Sequence, residues 1–263
     1  MRISVVTPSF NQAQFIRRTI DSILSQEGDF ELDYRVIDGG STDGTVEILK
    51  SYGDRLRWKS EPDKGQVDAI NKGLREITGD VVGWINSDDI LLPGALAQVA
   101  TAFEAHPACE WVHGYCKIID ADDHEVRRWI SAYKAFRARH HTLENFLTEN
   151  YVSQMTVFWR RSVHDEIGYL DPTIRFAFDY DLFVRLASRG EPAYVAEPIA
   201  CFRWYTTSKS GEGYVVQMAE TQRIGMHHRE ATSWTRARAW AKKLAIINVY
   251  RTLAVARSLR ARW

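Results

Sequence analysis

Apolar residues in the first half of the chain follow two alternating rhythms: short β-branched runs that stop at polar or glycine-rich turns, and longer stretches with apolar residues at three- and four-residue spacing. A βαβ chain requires this alternation, because strands covered on both faces read as continuous apolar runs while the covering helices need one apolar stripe. Ile3 to Thr7 predicts the first strand, ended by Pro8, and Phe15, Ile16, Ile20, Ile23 and Leu24 line one face of the helix that follows. Tyr34 to Ile37 predicts the second strand, Gly39 and Gly40 its turn, and 42–52 the next helix with Asp43 as N-cap. Leu56 to Lys59 reads as a third, weaker strand. Val67, Ile70, Leu74 and Ile77 give another helix its stripe, with Gly79 as a stop before the strand Val81 to Ile85. A helix over Pro93 to Ala105 and a strand over Glu110 to Ile119 complete this half.

Beyond Asp120 charged and aromatic residues mix without a clear period, which predicts loops and one helix around Tyr133 to Phe146. Met155 to Trp159 and Ala193 to Trp204 read as strands, Arg161 to Ile167 and Tyr180 to Ser188 as helices, and the tail from about Trp234 as helical. The expected fold is a single α/β domain over 1–210 with a mixed, mostly parallel central sheet, followed by a basic helical extension over 211–263.

Composition refines this picture in three ways. With 263 residues and 45% hydrophobic side chains the chain can bury one large core. The formal charge of zero hides a dipole: Met1 to Glu230 carries 26 basic and 34 acidic residues, and Ala231 to Trp263 eight basic and none acidic. Cys109, Cys116 and Cys201 form no CxxC or Cys/His cluster, so neither a disulfide framework nor a zinc site is expected. MRISVVTPSF enters strand-like sequence at once and no window approaches ~18 uninterrupted apolar residues, so a cytoplasmic protein is expected.

In an open parallel sheet ligands bind beyond the carboxyl ends of the strands. Asp38 follows the second strand in VIDGGSTDGT, Asp63 the third in SEPDKGQ, and the Asp88-Asp89 pair the fourth in WINSDD. The steps from 38 to 63 and from 63 to 88 are each 25 residues, one βα unit, so the carboxylates should converge on one rim. Converging carboxylates repel unless a cation sits among them, and Mg²⁺ or Mn²⁺ with substrate phosphate oxygens satisfies them. Each has a plainer reading: adjacent aspartates cap helices, and Asp-Gly-Gly makes turns. Their company places Asp38, Asp63, Asp88 and Asp89 in the site.

VVTPSFN, VIDGGSTDGT, EPDKGQVDAINKG and WINSDD, in that order, resemble the nucleotide-binding half of glycosyltransferase family 2, whose members have the GT-A fold. The resemblance continues through MTVFWRRSVHDEIGYLD, FAFDYDLFVRLASRG and FRWYTTSKS, covering about 1–210. It implies a nucleotide-sugar-binding half over 1–120 and an acceptor and catalytic half over 121–210. By similarity, Thr7, Pro8 and Ser9 with Asp38 would surround base and ribose, and Asp63, Lys64 and Gln66 would lie against the nucleotide or diphosphate. NSDD would be the local form of the DXD metal motif, with Asn86 in place of its first aspartate and Asp88 and Asp89 available to metal and sugar.

Inverting sugar transfer needs a base for the acceptor proton. Asp179 in FAFDYDL resembles the aspartate of the family's Glu-Asp motif, with Phe178 in place of the glutamate, and Asp181 is the neighbouring candidate; either aspartate could instead cap the helix, and the preferred reading gives Asp179 the base and Asp181 the cap. Tyr205 stands where relatives have a histidine; Arg203 and Lys209 could supply charge to the diphosphate or acceptor, or sit solvated. The histidines, including His140-His141 and His227-His228, show no metal-ligand spacing and are read as surface or loop residues. Trp111, Trp129, Trp159 and Trp204 are candidates for a sugar-stacking platform, with core packing favoured for each one.

The implied activity is an inverting, metal-dependent transfer from a nucleotide sugar, UDP by default, to a glycan or lipid-linked acceptor. A nucleotidyltransferase would open with a glycine-rich basic phosphate loop, which TPSFNQAQF is not, and no GxGxxG follows the first strand. A degenerate glycan-binding scaffold is the non-enzyme alternative, kept alive by Asn86, Phe178 and Tyr205. No nucleic-acid partner is expected, and the basic tail suits an anionic membrane surface or a homodimer.

Overall fold

The computed structural model describes residues 1–205, 213–242 and 244. Its elements in chain order are β1 (Arg2–Ser9), α1 (Ile16–Leu24), β2 (Glu31–Asp38), α2 (Thr45–Lys50), β3 (Arg57–Ser60), α3 (Gln66–Glu76), β4 (Val81–Trp84), β5 (Ile90–Leu91) and α4 (Ala95–Ala105). They continue with β6 (Trp111–Ile119), α5 (Arg128–Arg139), α6 (Leu143–Thr148), β7 (Phe158–Arg160), α7 (His164–Ile167), α8 (Phe178–Ala187), β8 (Ala193–Arg203) and α9 (Tyr214–His227). A further helical segment spans 233–242.

The strands form one eight-stranded sheet in the order β3-β2-β1-β4-β7-β6-β8-β5. β3, β2, β1 and β4 are mutually parallel, β7 runs antiparallel between β4 and β6, β8 is parallel to β6, and β5 is antiparallel on the far edge. The expected mixed, mostly parallel sheet is what forms. Because β7 enters between β4 and β6, residues from either side of position 120 interleave in one sheet.

Period-two alternation sends neighbouring residues to opposite cores. Val6, Ile37, Val82, Trp111 and Trp159 join the core under α3, α6 and α8. Val5, Val36, Val81, Val112 and Phe158 join the core under α1, α2 and α4. Both faces are covered, which is why the first strands read as unbroken apolar runs.

Several boundaries differ from the sequence reading, each for a local reason. Pro8 does not end β1, which continues to Ser9 with Pro8 opposite Ile37. β4 pairs with β1 only as far as Val6, so Pro8 lies beyond β4, where no ladder needs its missing N–H. The single helix expected around 133–146 is two, because Thr142 caps α6 by accepting the Asn145 N–H at 3.2 Å and restarts the chain after α5. Residues 154–156 form a 3₁₀ turn, so β7 begins at Phe158 rather than Met155. β5, only two residues long, has no counterpart in the sequence reading, whereas α9 falls within the helical extension expected over 211–263.

α9 has a specific task. Its Glu220 carboxylate accepts the backbone N–H groups of Arg175 (3.2 Å), Phe176 (2.8 Å) and Ala177 (2.9 Å), which open the turn into α8. Ala177, the N-cap of α8, supplies no side-chain cap, so a distant carboxylate does this work. Asp181 is therefore not the cap. It lies inside the first turn and pairs with Arg185 at 2.9 Å, while Arg185 also donates to the carbonyls of Ile167, Gly168 and Tyr169. Glu220→Ala should leave these N–H groups without their acceptor and destabilise the fold by about 1–3 kcal/mol. Urea unfolding checks this, and an unchanged midpoint contradicts it.

Candidate active site

The parallel run β3-β2-β1-β4 brings its strand ends to one edge, where Ser9, Asp38 and Ser60 stand side by side in register. Asp38 is fully buried. Its Oδ2 accepts from Gly40 N (3.1 Å), Ser41 N (2.9 Å) and Ser60 Oγ (2.7 Å), and its Oδ1 from Ser41 Oγ (2.5 Å). The carboxylate expected against base and ribose is thus occupied in building the loop, the turn role also read from Asp-Gly-Gly. Thr7 is likewise buried and accepts from the Tyr34 hydroxyl at 3.0 Å, so its side chain faces the core. Pro8 and Ser9 are buried beside it, and the Ser9 carbonyl accepts the Gly39 N–H at 2.8 Å.

Gly39 matters for what lies against it. A Cβ there would meet Asp63 Oδ2 at 2.5 Å, so the half-exposed Asp63 carboxylate rests on the bare Cα of Gly39 and reaches the rim from the next strand end. Asp63 Oδ1 accepts Gly65 N at 2.7 Å, which shapes the turn that exposes Lys64 and starts α3 at Gln66. Asp43, read as an N-cap, acts one residue outside the cap position: its Oδ1 accepts Thr45 N (3.1 Å) and Thr45 Oγ1 (2.6 Å), and Gly44 occupies the cap.

At the end of β4 the turn 86–89 closes with Asp89 N donating to Asn86 O at 3.1 Å. Asp89 is fully buried; its Oδ1 accepts Arg203 N (2.9 Å) and its Oδ2 accepts Asn86 Nδ2 (3.1 Å). Asp88 is half-exposed, with Oδ2 accepting the Tyr205 hydroxyl at 3.0 Å. Burial pushes the Asp89 carboxyl well above the usual carboxylate range, and the neighbouring Asp88 pushes it further. Asp88 is raised too, first by burial, although Tyr205 and Arg203 oppose the shift. Two adjacent carboxylates, one buried and one half-exposed, that resist ionising together fit a divalent cation.

Asn86 holds this turn in a way an aspartate could not. It accepts from Gln66 Nε2 at 2.9 Å and donates to both Asp89 and Gln154 Oε1 (3.0 Å), while Gln154 donates to Trp84 O at 2.7 Å. Gln154 carried no sequence signal, because nothing in MTVFW marks its neighbour as a bridge. Arg203 also departs from expectation: its side chain is fully buried rather than offered to a diphosphate or to solvent. It donates to Asp88 O (2.8 Å), Asp120 O (2.7 Å) and Ala121 O (3.3 Å) and pairs with Asp123 at 2.5 Å. Lys209 lies outside the described residues.

Asp179 sits half-buried in the first turn of α8, its Oδ1 accepting Tyr180 N at 2.8 Å. Facing it from α5 is Lys134, which donates to Ser153 Oγ at 3.3 Å; burial lowers the pKa of this ammonium, while Asp179 and Glu149 act to raise it. Trp111 and Trp159 are core residues, Trp204 is stacked by Arg127 at 3.5 Å, and Trp129 is exposed. The histidines are not all at the surface: His113 and His164 are buried in the core, and the His141 side chain is 5% exposed. Among the described residues one group of three metal-type ligands gathers within 4.8 Å, Asp120, Asp122 and His124. It is a surface turn in which Asp120 Oδ1 already accepts two backbone N–H groups, from Asp122 and His124.

The model of glycosyl transferase family 2 matches residues 4–168. The chain belongs to that family. The PGL/p-HBAD biosynthesis glycosyltransferase of Mycobacterium bovis (strain BCG) is 30% identical over 198 residues, covering 73% of this chain and 71% of that protein. Among solved structures, Staphylococcus aureus TarS 1-349 in complex with UDP-GlcNAc matches with a TM-score of 0.67 at 18% identity over 93% of this chain and 72% of that one. Against a longer TarS chain the match spans only 43% of its length. The mannosyltransferase PcManGT from Pyrobaculum calidifontis, in complex with GDP-Man and Mn²⁺, matches with a TM-score of 0.57 at 18% identity over 98% of this chain and 79% of that one. These likenesses show the GT-A fold in a family 2 glycosyltransferase.

The family 2 turn at 86–89 gives a direct test of electrostatics. Asn86→Asp would replace a donor to Asp89 with another carboxylate, which must hold a raised pKa in the folded state. The folded protein then binds more protons than the unfolded chain, so stability falls as pH rises. The gap in urea midpoint between parent and variant should widen from pH 5 to pH 8; a gap independent of pH contradicts this account.

Proposed function

We propose that the chain is an inverting transferase that moves a sugar from a nucleotide diphosphate sugar, UDP-linked by preference, to a hydroxyl of a glycan or lipid-linked acceptor in polysaccharide or glycoconjugate biosynthesis. The observation that carries this reading is the rim itself: Asp63, Asp88 and Asp89 lie beyond parallel strand ends, with a separate half-buried carboxylate, Asp179, at the start of α8. The UDP-GlcNAc complex of TarS supports the donor class, and the M. bovis relative's name, which places that protein in PGL/p-HBAD biosynthesis, supports a biosynthetic transfer.

Asp88 and Asp89 would hold Mg²⁺ or Mn²⁺, as the Mn²⁺ complex of PcManGT supports, with Asp88 presented to the cleft and Asp89 behind it. When bound, the ion supplies Lewis-acid stabilisation of the charge on the departing diphosphate. Thr7, Pro8 and Ser9 with Asp38 would shape the floor under base and ribose through backbone and loop, since the Thr7 and Asp38 side chains are committed elsewhere. Asp63, Lys64 and Gln66 would flank the nucleotide, and Tyr205 would orient Asp88 through its hydroxyl. Lys209 is proposed near the diphosphate on the family resemblance alone.

In the reaction the acceptor oxygen bonds to the anomeric carbon as the bond from that carbon to the diphosphate oxygen breaks. The bonding electrons leave with the diphosphate, and the acceptor proton passes to Asp179. A carboxylate at this position is separate from the pair at 88 and 89 and can act as a base. The departures from the family pattern do not undo this reading: Asn86 knits the metal turn together and Tyr205 donates to Asp88. Asp179→Asn should keep nucleotide diphosphate affinity and melting temperature while lowering sugar transfer by roughly 10²-fold or more. Near-parental transfer by this variant would refute the assignment.

A further inference from the structure

α5 carries a stripe that the fold leaves uncovered. Trp129, Tyr133 and Phe136 are 60%, 46% and 61% exposed, and their spacing of four and three residues puts them on one face. His140 extends the stripe with its ring 4.8 Å from that of Phe136. Arg139 and Arg128 flank it, both exposed, with Arg128 loosely paired to Glu125 at 3.6 Å, and α5 contains no acidic residue. The 233–242 segment repeats the chemistry: Trp234 and Trp240 are 67% and 57% exposed, Leu244 just beyond it 48%, and Arg236 is exposed with no acidic neighbour in the segment.

The two faces meet at Glu149. Its carboxylate accepts the Tyr133 hydroxyl at 2.8 and 2.9 Å and Lys242 Nζ at 2.9 Å, with Arg137 Nε 3.6 Å away. The acidic residue at the seam is thereby neutralised, and aromatic and cationic side chains run from one helix to the other. Soluble monomers seldom leave so many large aromatics uncovered together.

We propose that α5 and the 233–242 segment form a seat for the interfacial zone of an anionic lipid bilayer. Charge complementarity selects this occupant: tryptophan and tyrosine favour the headgroup boundary, and arginines beside them gain from acidic lipid. Among the described residues no helix is long and apolar enough to cross a membrane, and the proposed contact is interfacial. On the other side of α5, Lys134 lies within electrostatic reach of the candidate base Asp179, so the helix that carries the seat also borders that residue. The seat stands on surface chemistry alone and goes beyond the transferase reading; vesicle binding without donor tests it whatever the chain transfers.

The test is co-sedimentation of the full chain with vesicles of phosphatidylcholine alone or with one part in three of phosphatidylglycerol. The parent should partition preferentially onto the acidic vesicles, and the W129S/F136S double variant should lose about tenfold or more of that binding at an unchanged melting temperature. R128Q/R139Q should weaken acidic-vesicle binding by about fivefold per arginine. Three results overturn the proposal: no preference for acidic vesicles, unchanged binding by W129S/F136S, or a parental dimer that this variant converts to monomer, which would make a second copy the occupant.

Discussion

The site depends on one buried cation. Arg203, at the end of β8, donates its backbone N–H to the Asp89 carboxylate and spreads its guanidinium over the Asp88, Asp120 and Ala121 carbonyls and the Asp123 carboxylate. Phe15 of the segment before α1 packs its ring 4.8 Å from the guanidinium. The last strand, the carboxylate turn and the loop after β6 are thereby fixed to one another. A charge this deep is tolerated only because its donors meet carbonyls and a carboxylate. Its loss would free the turn whose geometry the proposed chemistry needs.

Around that anchor the carboxylates divide their work by depth. Asp38 and Asp89 are fully buried, and each is held by backbone or side-chain donors that shape a turn. Asp63, Asp88 and Asp179 remain half-exposed. The buried members position the exposed ones: Asp38 orders the loop whose Gly39 makes room for Asp63, and Asp89 shares its turn with Asp88. This arrangement lets a rim rich in negative charge persist without collapsing, provided that a cation joins it.

How much of this was legible follows from the range of the interactions involved. Strand pairs such as Val5-Val6 and Val81-Val82 announce themselves locally, and the 25-residue step between Asp38, Asp63 and Asp88 exposed the shared rim. Pro8 misled because its tolerance depends on where a neighbouring strand stops, at Trp84, 76 residues further along the chain. Arg203 could not be read as buried, since its partners at Asp88 and Asp120 are 115 and 83 residues away. Gln154 and Glu220 are invisible for the same reason, each serving backbone or side-chain groups brought to it only by tertiary folding. The helix over 233–242 was anticipated from its period, the rest of the expected tail beyond 244 lying outside the described residues, whereas the seam at Glu149 needed three segments in contact.

The central claim is that the turn at Asp88 and Asp89 couples a divalent cation to the nucleotide diphosphate. Calorimetric titration of UDP with and without Mn²⁺, for the parent and for Asp88→Asn, tests it most directly. The account predicts that Mn²⁺ strengthens UDP binding to the parent by about tenfold or more and that the variant loses this enhancement, because an amide replaces a charged oxygen ligand. An equal Mn²⁺ enhancement in parent and variant, or none in the parent, would contradict it.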